Sequence, residues 1–194
     1  TMRLFFACLI ALGLLLSACD KPPAFKSTDI SGVDWGKGFA LTDHNGKART
    51  LADFKGKVVV LFFGYTQCPD VCPTTLATMN ETLKLLGDDA ARVQVLFASL
   101  DPARDTQALL AQYVPQFNPS FLGLYGDEAT TAALAKEFRA FYTKVPGATP
   151  TSYTIDHSTG SYAFDPQGRL RLLLKHGDAP ANLAADLKLL LAGK

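Results

Sequence analysis

A continuous apolar run ends a few residues before two closely spaced cysteines, and this arrangement constrains the fold more than any other feature. Lys57–Phe63 has the sequence KVVVLFF, a β-branched and aromatic run expected of a strand buried on both faces. A helical pattern begins near Thr74 and ends at Gly87, a residue that suits a helix C-cap. The strand is therefore predicted to deliver Cys68 and Cys72 to the start of a helix.

Predicted strands and helices alternate along the rest of the chain. We expect strands over Arg92–Leu100 and Ser120–Tyr125, helices over Asp105–Tyr113, Glu128–Phe141 and Ala179–Ala192, a loop over Tyr142–Pro150, and hairpins with turns at 43–47 and 165–168. This order predicts an α/β sandwich with a central mixed sheet, an N-terminal hairpin extension and a C-terminal hairpin plus helix. A strand that leads two cysteines into a helix is typical of thioredoxin-like domains.

The composition excludes one large functional class. The chain has 194 residues, of which 48% are hydrophobic, and a formal net charge of +1. This length and hydrophobic content suffice for one domain with a substantial core. Nucleic-acid binding requires a clustered basic surface, and no run or stripe of Lys and Arg is found. A nucleic acid is therefore not expected among the partners.

The N-terminal residues carry the pattern of an export signal. Leu4–Leu16 is apolar but short for a bilayer span, as in the core of a signal peptide. Leu16–Cys19 resembles a bacterial lipobox, in which the thiol of Cys19 receives a lipid. Diacylation with a further amide-linked chain gives durable membrane attachment. Asp20 resembles the residue that retains lipoproteins at the inner membrane, which predicts a location at its periplasmic face in the cell envelope.

The domain boundaries follow from this signal. We expect a lipoprotein signal peptide over residues 1–18 and a lipidated tether over 19–37, because that segment is polar and contains Pro, Gly and Ser. The predicted thioredoxin-like domain then occupies residues 38–194.

Cys68 and Cys72 are the cysteines left for the folded domain. In an oxidising compartment they form a disulfide, a redox dithiol or a metal site. The C-x₃-C spacing is wide for a disulfide if both lie on one helix face, but each cysteine precedes a proline, which favours a turn over 68–72 with the helix proper beginning near Pro73. The spacing therefore leaves these alternatives open. Backbone N–H groups at the helix start are expected to lower the pKa of both thiols.

Two thiolates select a soft ion such as Cu(I), zinc or an iron–sulfur centre. Zinc and iron–sulfur sites usually take four protein ligands, whereas two sulfurs and one imidazole satisfy copper. Among the histidines, His44 is expected in an exposed turn and His176 at the surface, whereas His157 precedes the final hairpin and is favoured as the third ligand. Asp156 is a candidate for orienting the His157 imidazole.

Three separated motifs resemble the Sco/SenC family of copper proteins, and the matching order of elements extends from about residue 39 to 191. The motifs are Phe63–Thr66 leading into Cys68–Pro73, Ser99–Thr106, and Asp156–Ser158. The resemblance implies a thioredoxin fold in which Cys68, Cys72 and His157 bind one copper ion, as Cu(I) or Cu(II). Asp101 matches an acidic residue close to the site and is expected to influence it without binding the metal.

The resemblance also implies a function. The chain is expected to deliver copper to the binuclear copper site of cytochrome c oxidase subunit II, or to prepare the thiols of that site. This role requires no bond-making chemistry on a substrate, so the chain is expected to be a monomeric metallochaperone rather than an enzyme. The alternative is a membrane-anchored thiol–disulfide oxidoreductase that uses Cys68 and Cys72 on exported cysteine-containing partners. A peroxidase also fits the fold, but no other feature indicates peroxide chemistry.

Overall fold

A computed structural model describes residues 24–149 and 152–194. The expected signal peptide, the lipobox with Cys19, and Asp20 lie outside the described residues. Within the described part of the chain, no helix combines the length and apolar character needed to cross a membrane.

In the part of the chain that the structure describes, ten strands form two sheets, of which the larger has eight strands and the smaller has two. The strands are β1 Thr28–Asp29, β2 Ala40–Asp43, β3 Ala48–Thr50, β4 Val58–Gly64, β5 Val93–Ser99, β6 Leu122–Tyr125, β7 Tyr142–Pro146, β8 Tyr153–His157, β9 Ser161–Phe164 and β10 Leu170–Leu174. The large sheet has the order β1-β10-β9-β4-β5-β6-β2-β3. β4 is parallel to β5 and antiparallel to β9, so the sheet is mixed, as predicted.

Four α-helices of the described residues cover the two faces of this sheet. They are α1 Val71–Leu86, α2 Gln107–Tyr113, α3 Glu128–Glu137 and α4 Pro180–Leu191. Side chains alternate between faces along β4, so that Val60 and Phe62 pack with α1 and α4 while Leu61 and Phe63 pack with α3. The central strand is fully buried because helices cover both of its faces, and the predicted thioredoxin-like α/β sandwich is confirmed.

Three helix boundaries differ from the prediction by two residues or more, and one of these is the start of α2, at Gln107 rather than Asp105. α1 begins at Val71 rather than near Pro73, and Pro73 lies in its first turn, where backbone N–H groups need no partner within the helix. α3 ends at Glu137 rather than Phe141 because Arg139 adopts the left-handed region, with a φ of 52°.

The segment 142–150, predicted to be a loop, contains a strand. β7 pairs with β8 in antiparallel register from Tyr142–His157 to Pro146–Tyr153. We call this two-stranded sheet the ribbon. Its first strand is exposed along most of its length, so its sequence lacks the apolar alternation that normally indicates a strand.

The described part of the predicted tether is packed against the domain. β1 pairs with β10, and the backbone N–H groups of Lys26 and Ser27 each donate to the Asp186 carboxylate at 2.8 Å. The expected boundary at residue 38 therefore falls inside the folded unit. Local sequence did not indicate this, because the contacts are made by the backbone and by a side chain from α4.

Candidate metal centre

The cysteine loop starts where β4 ends, at Gly64. A Cβ atom on Gly64 would lie 2.9 Å from the Cys72 Sγ and 2.8 Å from the Phe97 ring. Both distances are shorter than real Cβ contacts, so only glycine lets the strand pass this close to the sulfur. The end of β4 and the first turn of α1 are thus in direct contact.

The two cysteines differ in exposure and neither is in a disulfide. Cys68 is half-buried and Cys72 is completely buried. The Cys72 backbone N–H donates to the Cys68 Sγ at 3.4 Å. The positive end of the α1 helix dipole is therefore directed at the more accessible sulfur. The sequence placed both residues at this helix start correctly.

His157 is the last residue of β8, and its imidazole faces the buried sulfur. Its Nε2 lies 3.6 Å from the Cys72 Sγ, and its Nδ1 lies 2.8 Å from the carbonyl oxygen of Ser158. A carbonyl can only accept, so Nδ1 carries the proton and the Nε2 lone pair is directed towards the sulfur. The ring also packs edge-on against Phe62 and Tyr65.

The ligand atoms of Cys68, Cys72 and His157 lie within 4.8 Å of one another. Metal–sulfur and metal–nitrogen bonds of about 2.3 and 2.0 Å place the ligands of a shared ion at most about 4.6 Å apart. Three ligands spaced evenly around one ion lie about 4 Å apart, so shifts of less than about 1 Å suffice to bring all three onto one ion. The donor set of two thiols and one neutral imidazole suits a soft ion.

Burial sets the protonation of this cluster. The pKa of the Cys72 thiol is raised well above its ordinary value. Burial is the largest cause, and the hydrogen bond with Cys68 is the next largest. The expected lowering of the Cys72 pKa is therefore wrong, because burial in an apolar cluster outweighs the effect of the backbone N–H groups at the helix start. Burial also lowers the pKa of His157, against smaller opposing effects of Ser158 and Asp156, which keeps the imidazole neutral.

The other histidines and Asp156 lie outside the cluster. His44, expected to be exposed, is buried, and its Nδ1 accepts the Gly123 N–H at 3.0 Å. The turn folds back onto β6, which the local Asn-Gly signal does not reveal. His176 is exposed, as predicted, and contacts the Thr75 hydroxyl at 3.1 Å. Asp156 is exposed on the outer face of β8, so the Ser158 carbonyl orients His157 instead.

Asp101 is buried behind the cysteine loop and pairs with Arg104. The Tyr153 hydroxyl donates to the other Asp101 oxygen at 2.7 Å. Burial, followed by this hydrogen bond to Asp101, raises the pKa of Tyr153 to about 12. Asp101 therefore contacts the strand that carries His157 without being in the metal-ligand cluster.

Asp105 is a site residue that sequence reasoning missed. Its buried carboxylate accepts the Thr66 hydroxyl at 2.6 Å, the Thr66 N–H at 3.2–3.3 Å and the Ser99 hydroxyl at 2.6 Å. These bonds fix the loop two residues before Cys68. Burial raises the pKa of Asp105, although the hydrogen bonds from Ser99 and Thr66 act in the opposite direction. Its position within the Ser99–Thr106 motif was the available signal.

An open cleft gives access to the cluster. The cysteine loop supplies one wall and the end of β8 supplies the other. The lining residues are Tyr65, Cys68, Pro69, Asp70, Val71, Thr154, Ile155, Asp156, His157 and Thr159. A second molecule can therefore approach Cys68 and His157 from solvent, whereas Cys72 is reached only through them.

The fold and the cluster together define a thioredoxin-like domain with a candidate soft-metal site of two thiols and one imidazole. The family model described as SCO1/SenC matches residues 28–192. The chain belongs to the SCO1/SenC family.

Individual relatives agree with this assignment. The Bos taurus protein SCO2 homolog, mitochondrial, is 40% identical over 132 residues, which are 67% of this chain and 50% of the relative. A SCO2-like protein of Rickettsia felis is 36% identical over 145 residues, 74% of this chain and 69% of the relative. The chain thus spans about half the length of the bovine relative. The structure of Bradyrhizobium japonicum ScoI with copper bound superposes with a TM-score of 0.73 at 43% identity, covering 78% of this chain and 96% of that one.

Proposed function

We propose that this chain is a metallochaperone that binds one copper ion through Cys68, Cys72 and His157. The observation that carries the proposal is the approach of the three ligand atoms to within 4.8 Å of one another. The copper-bound structure of the similar Bradyrhizobium japonicum ScoI supports copper as the cargo.

The cleft suits transient binding of this cargo. Three ligands leave room for a fourth from an acceptor, so copper can pass by ligand exchange without first dissociating into water. Cys68 is the accessible sulfur and Cys72 the buried one. An incoming thiol therefore meets Cys68 and His157 first, and Cys72 is the last ligand released.

The proposed recipient follows from the family resemblance. The chain acts as a monomer at the periplasmic face of the inner membrane, anchored by lipid on Cys19. It delivers copper to the binuclear copper site of cytochrome c oxidase subunit II, or prepares the thiols of that site. Asp101 acts through its contacts with Arg104 and Tyr153, and Asp156 contributes a nearby negative charge.

Copper titration of the reduced protein tests this proposal. We expect one copper per chain, with thiolate-to-copper charge transfer in the optical spectrum and nitrogen hyperfine structure in the EPR spectrum of the Cu(II) form. His157→Ala should abolish tight binding because it removes the nitrogen ligand. His176→Ala is the matched control, since it removes an exposed histidine outside the cluster, and should bind copper normally.

A thiol–disulfide oxidoreductase is the second candidate, and the Cys72 N–H bond to the Cys68 sulfur favours it. Cys68 as thiolate would attack a partner disulfide, releasing one partner thiol and forming a mixed disulfide. Cys72 would then displace the second partner thiol and close a Cys68–Cys72 disulfide. The His157→Ala protein separates the candidates: if it lost reductase activity and kept its copper affinity, the metallochaperone proposal would be wrong.

A further inference from the structure

The His157 ligand is carried by a sheet separate from the one that positions the cysteines. The ribbon pairs β7 with β8, whereas the cysteine loop follows the central strand of the eight-stranded sheet. The register of the ribbon fixes His157 relative to Tyr142, but not relative to the sulfurs. Contacts between β8 and the domain, together with the short connection over 158–160 to β9, therefore set the distance from the imidazole to the two thiols.

The inner face of β8 presents three side chains to the domain. Side chains at alternate positions of a strand share a face, so Tyr153, Ile155 and His157 point the same way. Ile155 is 3% exposed and packs in the core, and His157 faces Cys72. Thr154 and Asp156, on the other face, are exposed. Tyr153 is the remaining inner position, and it lies on Arg104.

The Arg104 side chain makes three different contacts, two with Tyr153 of β8 and one with Asp101. Its Nη1 donates to the Tyr153 carbonyl oxygen at 2.9 Å, and its guanidinium lies 3.5 Å from the centroid of the Tyr153 ring. Its Nε donates to Asp101, which also accepts the Tyr153 hydroxyl. The backbone carbonyl, the ring and the hydroxyl of Tyr153 are thus all held by the Arg104–Asp101 pair.

The same guanidinium contacts the cysteine loop. Nη1 also donates to the Gln67 Oε1 at 2.9 Å, and the guanidinium carbon lies 5.8 Å from the centroid of the Tyr65 ring. Gln67 immediately precedes Cys68. Only the planar fork of an arginine can donate in these directions while stacking on an aromatic ring, so lysine is not equivalent here.

We propose that Arg104 is a positioning residue for the metal centre, holding the His157 strand against the cysteine loop so that imidazole and thiols stay within reach of one ion. The metal-dependent part of this inference rests on the proposed function. Its structural part concerns the metal-free protein and stands independently.

Arg104→Lys is the test, with Arg49→Lys as its matched control. Arg49 also pairs with a buried aspartate, Asp43, at 2.7 Å and lies over an aromatic ring, that of Phe54, at 5.7 Å. Its side chain is 19% exposed against 17% for Arg104, but its ion pair and its ring contact are with Asp43 and Phe54 rather than with the ribbon. The two variants therefore remove similar contacts from different places.

Hydrogen exchange of the metal-free protein is the first readout. Arg104→Lys should accelerate amide exchange in β8 relative to the rest of the protein, and Arg49→Lys should leave β8 exchange unchanged. Unchanged β8 exchange in Arg104→Lys, or the same acceleration in Arg49→Lys, would overturn the positioning role. If Arg104→Lys does not fold, Tyr153→Phe, which removes only the hydroxyl bond to Asp101, should produce a smaller acceleration of the same kind.

Copper binding is the second readout. Arg104→Lys should still bind one copper per chain, with about tenfold lower affinity, a broadened EPR nitrogen signal and faster release to a chelator. Arg49→Lys should match the wild-type protein in all three. If the wild-type protein itself binds no copper, the proposed function fails, and the exchange measurement alone decides the role of Arg104.

Discussion

At the scale of single residues, the two thiols of the centre have different chemical roles because they differ in exposure. Cys68 lines the cleft and its sulfur accepts a backbone N–H, whereas Cys72 is completely buried and burial raises the pKa of its thiol. At neutral pH the metal-free protein therefore keeps the proton on Cys72, and any metal that binds there must displace it. Binding by the pair should consequently tighten as the pH rises.

Thiol alkylation measures this asymmetry. In the reduced, metal-free protein at mildly alkaline pH, Cys68 should react with iodoacetamide at least about tenfold faster than Cys72, since each unit of pKa changes the thiolate fraction tenfold. Mass spectrometry of peptides after timed quenching provides the rates. Denatured protein is the control and should show similar rates at both positions. Equal rates in the folded protein would contradict the burial of Cys72.

The residue scale also shows where sequence reasoning reached its limit. The cluster of Cys68, Cys72 and His157 was predictable from spacing and motifs because thiols and imidazoles are side chains of distinctive types. The carbonyl of Ser158 that orients His157 could not be found, since every residue has a carbonyl and only its direction matters. The raised pKa of Cys72 was missed for a similar reason, because burial by distant residues leaves no local pattern.

At the scale of secondary-structure elements, the N-terminal hairpin is held by a histidine at its turn. The backbone N–H of His44 donates to the Gly123 carbonyl at 2.8 Å, and the Nδ1 of its ring accepts the Gly123 N–H. These two hydrogen bonds continue the pairing of β2 with β6 beyond Asp43, the last residue of β2. A charged imidazole would lose its acceptor, so this contact requires neutral His44.

A pH dependence of stability follows from this contact. Burial lowers the pKa of His44, against a smaller opposing effect of Asp43, from a reference value of 6.5. Below about pH 6.5 the unfolded chain gains a proton that the folded state resists, so the free energy of unfolding should fall as the pH falls through the lower folded pKa. His157, whose pKa is lowered too, contributes with the same sign.

Urea unfolding near neutrality and at about pH 5 tests this dependence. His44→Gln keeps a hydrogen-bond acceptor but does not titrate, so its loss of stability between the two conditions should be smaller than that of the wild-type protein. His176→Gln, at an exposed position, should behave as wild type. An identical pH dependence in His44→Gln would show that His44 does not stay neutral in the folded state.

Strands and helices were predictable where burial imposes a recognisable pattern of apolar residues on the sequence. β4 and β5 were found because both faces of these strands are buried, and α4 because its apolar positions follow the helical repeat. β7 was missed because it is mostly exposed. The start of α1 was placed two residues too late because the proline rule excludes helix interiors but not the first turn.

At the scale of the whole molecule, the segment before the first hairpin is joined to the last helix. Asp186 is fully buried, and its two oxygens accept the N–H groups of Lys26 and Ser27. β1 then extends the large sheet by one strand beyond β10. Both ends of the described chain are thus held on the same side of the sheet.

Asp186→Ala tests this connection. It would leave two backbone N–H groups without their partner, which should lower the free energy of unfolding by about 1–3 kcal/mol. Asp34→Ala is the control, because Asp34 is exposed and pairs with an exposed arginine, Arg139, at 3.4 Å. That variant should change stability by less than about 1 kcal/mol. Equal effects in the two variants, measured by urea unfolding, would contradict a stabilising role for the Asp186 contacts.

The ribbon and the core together have a consequence for how a binding partner could distinguish filled from empty molecules. An ion shared by Cys68, Cys72 and His157 adds a cross-link between two sheets that are otherwise joined by short chain connections, such as 158–160, and by side-chain contacts, so a filled molecule holds its ribbon more firmly than an empty one. Filling the metal centre therefore changes a property of the outer surface, namely the resistance of the ribbon to bending and to proteolysis. A protein that docks against the ribbon would therefore bind filled and empty molecules with different affinities.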